Sequence, residues 1–288
     1  MSITFQCIPG LGPKSEQKII NHGIHQWKDV LTQETPDFLS TKIWVNLQQQ
    51  VVKLETALKN EDYHFLSQNI RPKMQYRLTP LILQKAAYLD IETTGLSYWN
   101  NHVTTIAVYA ANQVHTFVHG QNLEEFPDFI AQFPMIVTFF GKAFDIPFLQ
   151  HEFRNSDLQV PPIHLDVCFL LRRIGLRGGL KRIEHSFGIN RGELEGVDGD
   201  IGVILWHHYQ KTKNSGFLQT LLAYNVEDVM NLEYLLRYAY PKISELDHLP
   251  EIPLPETIRT VKNPFQPDMR LLRPILAQYQ RPAYDPHS

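Results

Sequence analysis

The spacing of apolar residues changes along the chain, from a helical period before residue 69 to a strand period after residue 85. A helix is predicted from about Asp37, because apolar residues recur there every three or four positions and therefore share one face. We expect this face to pack against the rest of the protein rather than to form a coiled-coil seam. Its apolar residues are Trp44, Leu47, Val51, Leu54 and Leu58. The periodicity breaks over residues 69–80, and we predict a small all-helical domain over residues 1–75.

A glycine-rich segment, Ile8–Gly12, precedes another predicted helix, Ser15–His22, and Gly23 is placed to end that helix. The segment resembles a helix-hairpin-helix, in which the backbone N–H groups of glycines approach a DNA phosphate closely. Gly10 and Gly12 are therefore candidate nucleic-acid-binding residues. A purely structural turn is an equally good interpretation of the same residues.

Strand-forming patterns begin at residue 86. Two runs, residues 103–110 and 113–118, are rich in β-branched and aromatic residues, and Ala111-Asn112 between them predicts a hairpin turn. The predicted strands are residues 86–92, 103–110, 113–118 and 135–140, and the predicted helices lie within 123–133, 144–153, 166–187, 201–211 and 217–238. We therefore predict an α/β fold over residues 76–240, with a mixed sheet of about five strands and helices on both faces.

Proline is frequent in the remainder of the chain. Eight prolines follow Pro241, up to Pro286, and proline disfavours the interior of a helix. We predict an extended or irregular tail over residues 241–288.

Composition argues against the membrane and disulfide-rich classes. Met1–Gly10 lacks the basic and apolar regions of a secretory signal, and no apolar run reaches the roughly 18–20 residues that cross a bilayer. The two cysteines, Cys7 and Cys168, match neither a disulfide framework nor a zinc site, and both fit small buried apolar residues. We expect a cytoplasmic protein with no membrane partner.

Charge is unevenly distributed, although the net charge is only −3. Residues 1–85 carry ten Lys/Arg against seven Asp/Glu, residues 86–240 carry eleven against seventeen, and residues 241–288 carry six of each. An acidic region repels phosphate unless bound cations reverse the local field. We therefore expect metal ions in the acidic middle of the chain.

Asp90 and Glu92 are two positions apart at the end of the first predicted strand, so their side chains point to the same face. Two carboxylates that leave a buried strand together repel each other strongly. A divalent cation such as Mg²⁺, which prefers oxygen ligands, relieves that repulsion. Taken alone, the pair fits two solvated acids in a turn better than a metal site.

Three further residues extend the pattern. Asp145 follows an apolar strand and opens a predicted helix, where a first-turn acid is the ordinary interpretation. Tyr224 and Asp228 are four positions apart in a predicted helix and share one face. An ordinary surface acid beside a core tyrosine fits that pair alone.

Together these motifs resemble a known family. The order D-x-E, a distant D opening a helix, and Y-x-x-x-D resembles the DEDD exonucleases of the ribonuclease H-like superfamily. Ala223 occupies the position at which the histidine branch has His, which indicates the tyrosine branch. The blocks YLDIETTGL, GKAFDIPFL, GGLKRIEHSFGI and LLAYNVEDVMNLEYLL are similar to successive blocks of the YprB-like predicted exonucleases.

The resemblance implies a function and a set of roles. Asp90, Glu92, Asp145 and Asp228 would bind two divalent cations, Mg²⁺ or Mn²⁺, and Tyr224 would hydrogen-bond the attacking water or the scissile phosphate. The expected activity is that of a 3′–5′ exonuclease acting on a single-stranded 3′ end of nucleic acid. The chain departs from the family at Phe140, where Asn is common.

Several residues are candidates for contact with the substrate. The resemblance implies that the backbone at Thr93 and Gly95 meets the terminal nucleotide and that Leu96 wedges against a base, although a turn with one core leucine is an equal alternative. Lys142, Lys181 and Arg182 are candidate phosphate contacts, with solvated basic residues as the competing interpretation.

Two other function classes stay open. A nucleic-acid-binding module that no longer hydrolyses its ligand would keep the same residues. A structure-specific endonuclease would combine the same site with the N-terminal hairpin.

Overall fold

A five-stranded mixed sheet forms the centre of the protein in the computed structural model, which describes residues 4–195, 197, 199–250, 252–256 and 261–279. The strands are β1 Ala86–Thr93, β2 Val103–Ala110, β3 Gln113–Val118, β4 Met135–Thr138 and β5 Ile163–Asp166, in the spatial order β3-β2-β1-β4-β5. The pairs β1–β2 and β2–β3 are antiparallel, whereas β1–β4 and β4–β5 are parallel. The predicted mixed sheet of about five strands is confirmed.

Helices account for most of the remaining described residues. They are α1 Pro13–Asn21, α2 Trp27–Thr32, α3 Thr41–Lys59, α4 Tyr63–Asn69, α5 Thr79–Ile82, α6 Phe126–Ile130, α7 Asp145–Glu152, α8 Val167–Arg173, α9 Leu180–Ser186, α10 Gly199–Thr212, α11 Ser215–Leu246 and α12 Met269–Tyr279. Short 3₁₀ helices cover Pro72–Leu78, Leu83–Lys85, Leu123–Glu125 and Gly192–Leu194. Within the described ranges, none of these helices has both the length and the apolar character that crossing a membrane requires.

The alternation of side chains along β1 separates two apolar layers. Ala86 and Tyr88 belong to the core that includes α8 and α11, whereas Leu89 and Ile91 belong to the core that includes α6 and α7. Successive residues of a strand point to opposite faces. Asp90 therefore leaves the sheet on the face covered by α11, and the sheet has helices on both faces as predicted.

The N-terminal region is helical, as predicted. The apolar stripe of α3 faces the core, with Trp44, Leu47, Val51 and Leu54 buried and Leu58 half-buried. The helix begins at Thr41 rather than near Asp37, because the Ser40 hydroxyl accepts a hydrogen bond from the Ile43 N–H (3.4 Å). Gly23 ends α1 with a φ of +88°, also as predicted. In residues 4–12, no helix precedes Gly10, so the glycine-rich turn lacks the first helix of a helix-hairpin-helix.

Buried Glu16 connects the N-terminal turn to the remainder of the protein. Its carboxylate pairs with Arg77 (2.8 Å), and Arg77 lies 3.7 Å from Asp247, which caps the C-terminal end of α11. Glu16 also accepts hydrogen bonds from the Thr4 hydroxyl, the Phe5 N–H and the Gln6 amide. These contacts tie residues 4–16 to the long helix, while the proposed boundary at residue 75 stays a prediction.

Two strand predictions needed correction. β4 ends at Thr138 instead of Phe140, because the backbone at Phe140 has a φ of +64°, which is incompatible with a strand. β5 lies in a segment for which no strand was predicted. It has only four residues and follows Pro161-Pro162, so it offers too short a pattern. The hairpin turn at Ala111-Asn112 is confirmed by two positive φ angles.

The predicted irregular tail is wrong in two places. α11 continues through Pro241 to Leu246, because Ala239, Tyr240 and Ile243 are buried while the proline ring faces solvent. α12 lies wholly within the predicted tail. The last residues of that prediction, 280–288, fall outside the described ranges.

The tail also contacts the helix that carries two of the candidate residues. The Asn263 amide donates a hydrogen bond to the Ala223 carbonyl (2.7 Å), and the Asp268 N–H donates to the Thr220 hydroxyl (2.9 Å). α12 packs against α10 and α11 through buried Leu272 and Ile275. The tail therefore supports the side of the molecule on which Tyr224 and Asp228 lie.

We expect Leu272→Ala to lower the free energy of unfolding by about 2–5 kcal/mol, since it removes a fully buried side chain and leaves a cavity. Urea denaturation measures the change. Leu246→Ala is the matched control at an exposed position and should alter stability by less than about 0.5 kcal/mol. Equal stability of both variants would contradict the docking of α12.

Candidate metal centre

Four carboxylates from three elements meet in one cleft of about 460 Å³. Asp90 and Glu92 come from the end of β1, Asp145 is the first residue of α7, and Asp228 lies in α11. Tyr224 lines the same cleft one helical turn before Asp228. The structure thus brings together all five residues that the sequence motifs singled out.

Three of the acids form a tight group. Asp90, Glu92 and Asp228 each place one carboxylate oxygen within 4.8 Å of the other two. Asp145 lines the cleft beside this triad without belonging to it. An all-oxygen donor set of this kind suits a hard divalent cation such as Mg²⁺.

The carboxylates are held in surroundings that disfavour their charge. Burial, followed by the charges of neighbouring acids, raises the pKa of Asp90 and of Glu92 well above the ordinary range. Burial also raises the pKa of Asp145 from 3.8 to about 7, although hydrogen bonds from its own backbone and from Ile91 oppose the shift. Because bound cations would stabilise the ionised forms of these acids, the site fits divalent metal.

Gly202 in α10 allows the helix to approach Glu92. A Cβ atom at position 202 would lie 2.5 Å from Glu92 Oε2, which is closer than any real contact of that kind. The helix backbone therefore approaches the site closely, and a side chain at position 202 would displace the Glu92 carboxylate.

Asn225 orients Asp90 from α11. Its amide nitrogen donates to Asp90 Oδ2 (2.7 Å), and its amide oxygen accepts from the Thr105 hydroxyl (3.0 Å). The second bond fixes which end of the amide faces the carboxylate. Sequence reasoning missed Asn225, although its position between Tyr224 and Asp228 on a buried helix was a usable signal.

Arg191 orients Asp228. Its Nε and Nη2 atoms lie 2.7 and 2.5 Å from Glu184 Oε2, and its Nη1 contacts Asp228 Oδ1. Asn231 donates to the other oxygen of Glu184 (3.0 Å). This buried chain of groups was not predicted, because its members lie on three separate segments that only the fold brings together.

Tyr224 is buried with its hydroxyl next to a cation. Lys181 Nζ donates to the Tyr224 hydroxyl oxygen (2.5 Å) and lies 4.4 Å from the ring centroid. Burial raises the pKa of Tyr224 well above 10, and the charges of Asp228, Glu92 and Asp90 add to the shift. The phenol therefore stays protonated, and its own proton remains available for donation to a neighbouring group.

The other predicted substrate residues divide into two sets. Thr93, Gly95 and Leu96 line the cleft, and the Leu96 side chain is 86% exposed. As far as the structure describes the chain, the lining does not include Lys142, Arg182, Gly10 or Gly12. Contact of all these residues with nucleic acid stays a prediction.

The loop that delivers Asp145 is held by Asp166, another residue that sequence reasoning missed. Asp166 accepts hydrogen bonds from the Phe140 N–H (2.9 Å) and the Lys142 N–H (3.1 Å), and it caps α8 through the Cys168 N–H. Phe140 has a left-handed backbone, which Asn tolerates better than Phe.

Gly202→Ala should weaken Mn²⁺ binding by about 10- to 100-fold, the usual cost of disturbing the support of a metal ligand. Gly199→Ala in the same helix is the matched control, because a Cβ built there meets no described heavy atom within 4 Å outside its chain neighbours and its own helix backbone. Calorimetric titration gives both affinities, and circular dichroism checks the fold. Unchanged affinity in Gly202→Ala would show that Glu92 does not depend on this approach.

The fold resembles several solved structures. A family B DNA polymerase from the hyperthermophilic archaeon Pyrobaculum calidifontis matches with a TM-score of 0.44 and 16% identity over 57% of this chain, which spans only 26% of the polymerase. Brucella melitensis NrnC with bound Mg²⁺ matches with a TM-score of 0.40 and 17% identity over 59% of this chain and 77% of that one. A structure described as the apo form of a nuclease has a TM-score of 0.40 and 20% identity, covering 57% and 74% of the two chains.

Sequence comparison identifies the family. No curated protein sequence matches the chain. The family model of the RNase_H superfamily matches residues 87–240, which is just over half of the chain and contains all four acids and the tyrosine. The chain therefore belongs to the RNase_H superfamily.

Proposed function

We propose that this protein is a 3′–5′ exonuclease that hydrolyses phosphodiester bonds at a single-stranded 3′ end of nucleic acid. The observation that carries the proposal is the convergence of Asp90, Glu92, Asp145 and Asp228 in one cleft beside a buried tyrosine. Membership of the RNase_H superfamily supports it.

The four acids would hold two divalent cations, either Mg²⁺ or Mn²⁺. Such a pair activates water and stabilises the entering and leaving oxygens of a phosphoryl displacement. The chain supplies the anionic cage, and it keeps two of its ligands oriented through Asn225 and Arg191.

Tyr224 is the residue proposed to contact the reacting atoms without binding metal. Its protonated hydroxyl receives a hydrogen bond from Lys181 and can donate its own proton to the attacking water or to a phosphate oxygen. A phenol with a raised pKa is a poor base, so its role is to orient rather than to deprotonate. Lys181, which the sequence marks as a candidate phosphate contact, would position Tyr224 through this hydrogen bond.

Each hydrolysis step consumes one water molecule. The water oxygen forms a bond to phosphorus as the bond to the 3′ oxygen of the preceding nucleotide breaks, and that oxygen takes up a proton. A nucleoside monophosphate leaves, and the shortened strand keeps a 3′-hydroxyl. The exposed Leu96 side chain lines the cleft, where it would be available for contact with a base.

A binding module without turnover is the second candidate. The contact between Arg191 and Asp228 favours it, because a guanidinium group there satisfies one of the carboxylates that metal would use. The two candidates differ in one observable, the release of mononucleotides.

The test is a strand-shortening assay with a 5′-labelled single strand and Mn²⁺. We expect stepwise shortening, slower cleavage when the 3′-hydroxyl is blocked, and no comparable cleavage of a closed circular strand. Rapid nicking of the circle would favour an endonuclease, and binding without cleavage would favour the second candidate.

In the same assay, Tyr224→Phe should lower the single-turnover rate by about 10²- to 10⁴-fold, the range associated with positioned proton-handling groups. Mn²⁺ affinity should stay unchanged, because the hydroxyl is not a ligand. Asp228→Asn is the contrasting variant and should weaken both metal binding and turnover. Full activity of Tyr224→Phe would make the tyrosine a core residue only.

A further inference from the structure

Three exposed side chains form a patch at the margin of the cleft, which we call the stacking patch: Phe140, Phe169 and Arg172. Phe140 lines the cleft and is 42% exposed, and Phe169 is 41% exposed. Their ring centroids are 6.4 Å apart. The guanidinium carbon of Arg172 lies 5.7 Å from the Phe140 centroid and 5.5 Å from that of Phe169.

The patch does not serve the core. Phe169 and Arg172 are three positions apart on the outward face of α8, whereas the inward face is already filled by buried Val167, Leu170 and Leu171. An aromatic ring that leaves two fifths of its surface in water forgoes part of the stabilisation that full burial would give. The exposed faces of these two rings are therefore available for contact with a ligand at the cleft.

The backbone conformation of Phe140 also supports a role for its side chain. A φ of +64° is unfavourable for a bulky side chain, and Asp166 holds the turn through the Phe140 and Lys142 N–H groups. Asn would suit this conformation better. Strain of this kind is retained where a side chain is used, and here the side chain is an exposed ring directed to the cleft margin.

The chemistry of the patch matches a nucleobase. Every base offers a flat π-face, and aromatic rings and guanidinium planes stack on that face without regard to sequence. Arg172 also supplies positive charge next to the acidic cleft, where a phosphate of the same strand can lie.

We propose that the stacking patch binds one base of a single-stranded nucleic acid whose phosphate lies at Asp90, Glu92, Asp145 and Asp228. This inference rests on the proposed function, since it assumes that the cleft holds a nucleic-acid strand. It adds a substrate-binding subsite built from Phe140, Phe169 and Arg172. The subsite recognises a base by stacking and does not select its identity.

The experiment combines protein variants with single strands that each lack one base. The probe is a short 5′-labelled single strand of oligothymidylate, with Ca²⁺ as the divalent ion, and fluorescence anisotropy gives its affinity. A second set of strands carries a single abasic site, moved one position at a time from the 3′ end. Phe38→Ala is the control, because Phe38 is 37% exposed and lies in the N-terminal helical region outside the cleft lining.

We expect Phe169→Ala to weaken binding by about 5- to 150-fold, the range seen when an aromatic platform loses a stacked base. Phe169→Leu keeps apolar contacts and should show most of the same loss. Phe140→Asn should also weaken binding while its melting temperature holds or rises, because Asn relieves the backbone at that position. Phe38→Ala should bind like wild type.

The decisive result is whether the loss of affinity caused by an abasic site depends on, and is thus coupled to, the Phe169 ring. One abasic position should weaken binding to wild type and cause no further loss in Phe169→Ala, since the stacked partner is then already missing. An equal abasic penalty in wild type and Phe169→Ala at every position overturns the proposal, as does unmeasurable binding of the intact strand to wild type.

Each of the two proposals can be refuted independently of the other. Coupling without mononucleotide release in Mn²⁺ supports the stacking patch and refutes the exonuclease. Mononucleotide release without coupling refutes the stacking patch and leaves the exonuclease intact.

Discussion

Repulsion among four carboxylates at the end of β1 is the constraint on which the site depends. Charged groups this close and this buried favour protonation, and the raised pKa values of Asp90, Glu92 and Asp145 express that cost. The protein holds the acids together through the hydrogen bond from Asn225 and the ion pair of Arg191. Bound cations would offset this repulsion and stabilise the ionised carboxylates. The crowding of the acids therefore fits a cation-binding site.

The long helix α11 connects this site to the rest of the fold. Its middle carries Tyr224, Asn225 and Asp228, and its end is anchored through Asp247 to Tyr76 (2.5 Å) and Arg173 (2.6 Å). α10 approaches Glu92 through Gly202, and α12 covers both helices. Each acid is thus positioned by an element that has buried contacts of its own.

Local periodicity accounts for what could be predicted. Asp90 and Glu92 share a face because a strand repeats every two residues, and Tyr224 and Asp228 share a face because four residues make about one helical turn. Arg191 and Asp166 were missed because Asp228, which pairs with Arg191, and the Phe140 and Lys142 N–H groups, which donate to Asp166, lie far away in sequence. Glu184 was missed because its partner Arg191 lies seven positions later and outside the same helix. β5 was too short to detect, and α12 was hidden by prolines whose effect was outweighed by burial of Leu272 and Ile275.

We propose that the acids form a cation-binding site, which takes up protons when metal is absent. Mn²⁺ calorimetry in buffers of different ionisation enthalpy tests this proposal most directly. The pKa of Asp145 rises from 3.8 to about 7, so below about pH 7 a proton competes with metal, and binding should tighten as pH rises through that value. We predict Mn²⁺ binding with proton release below pH 7, and strongly diminished binding in an Asp90→Ala/Asp228→Ala double variant. Absence of Mn²⁺ binding to wild type, or equal binding to the double variant, would contradict the account.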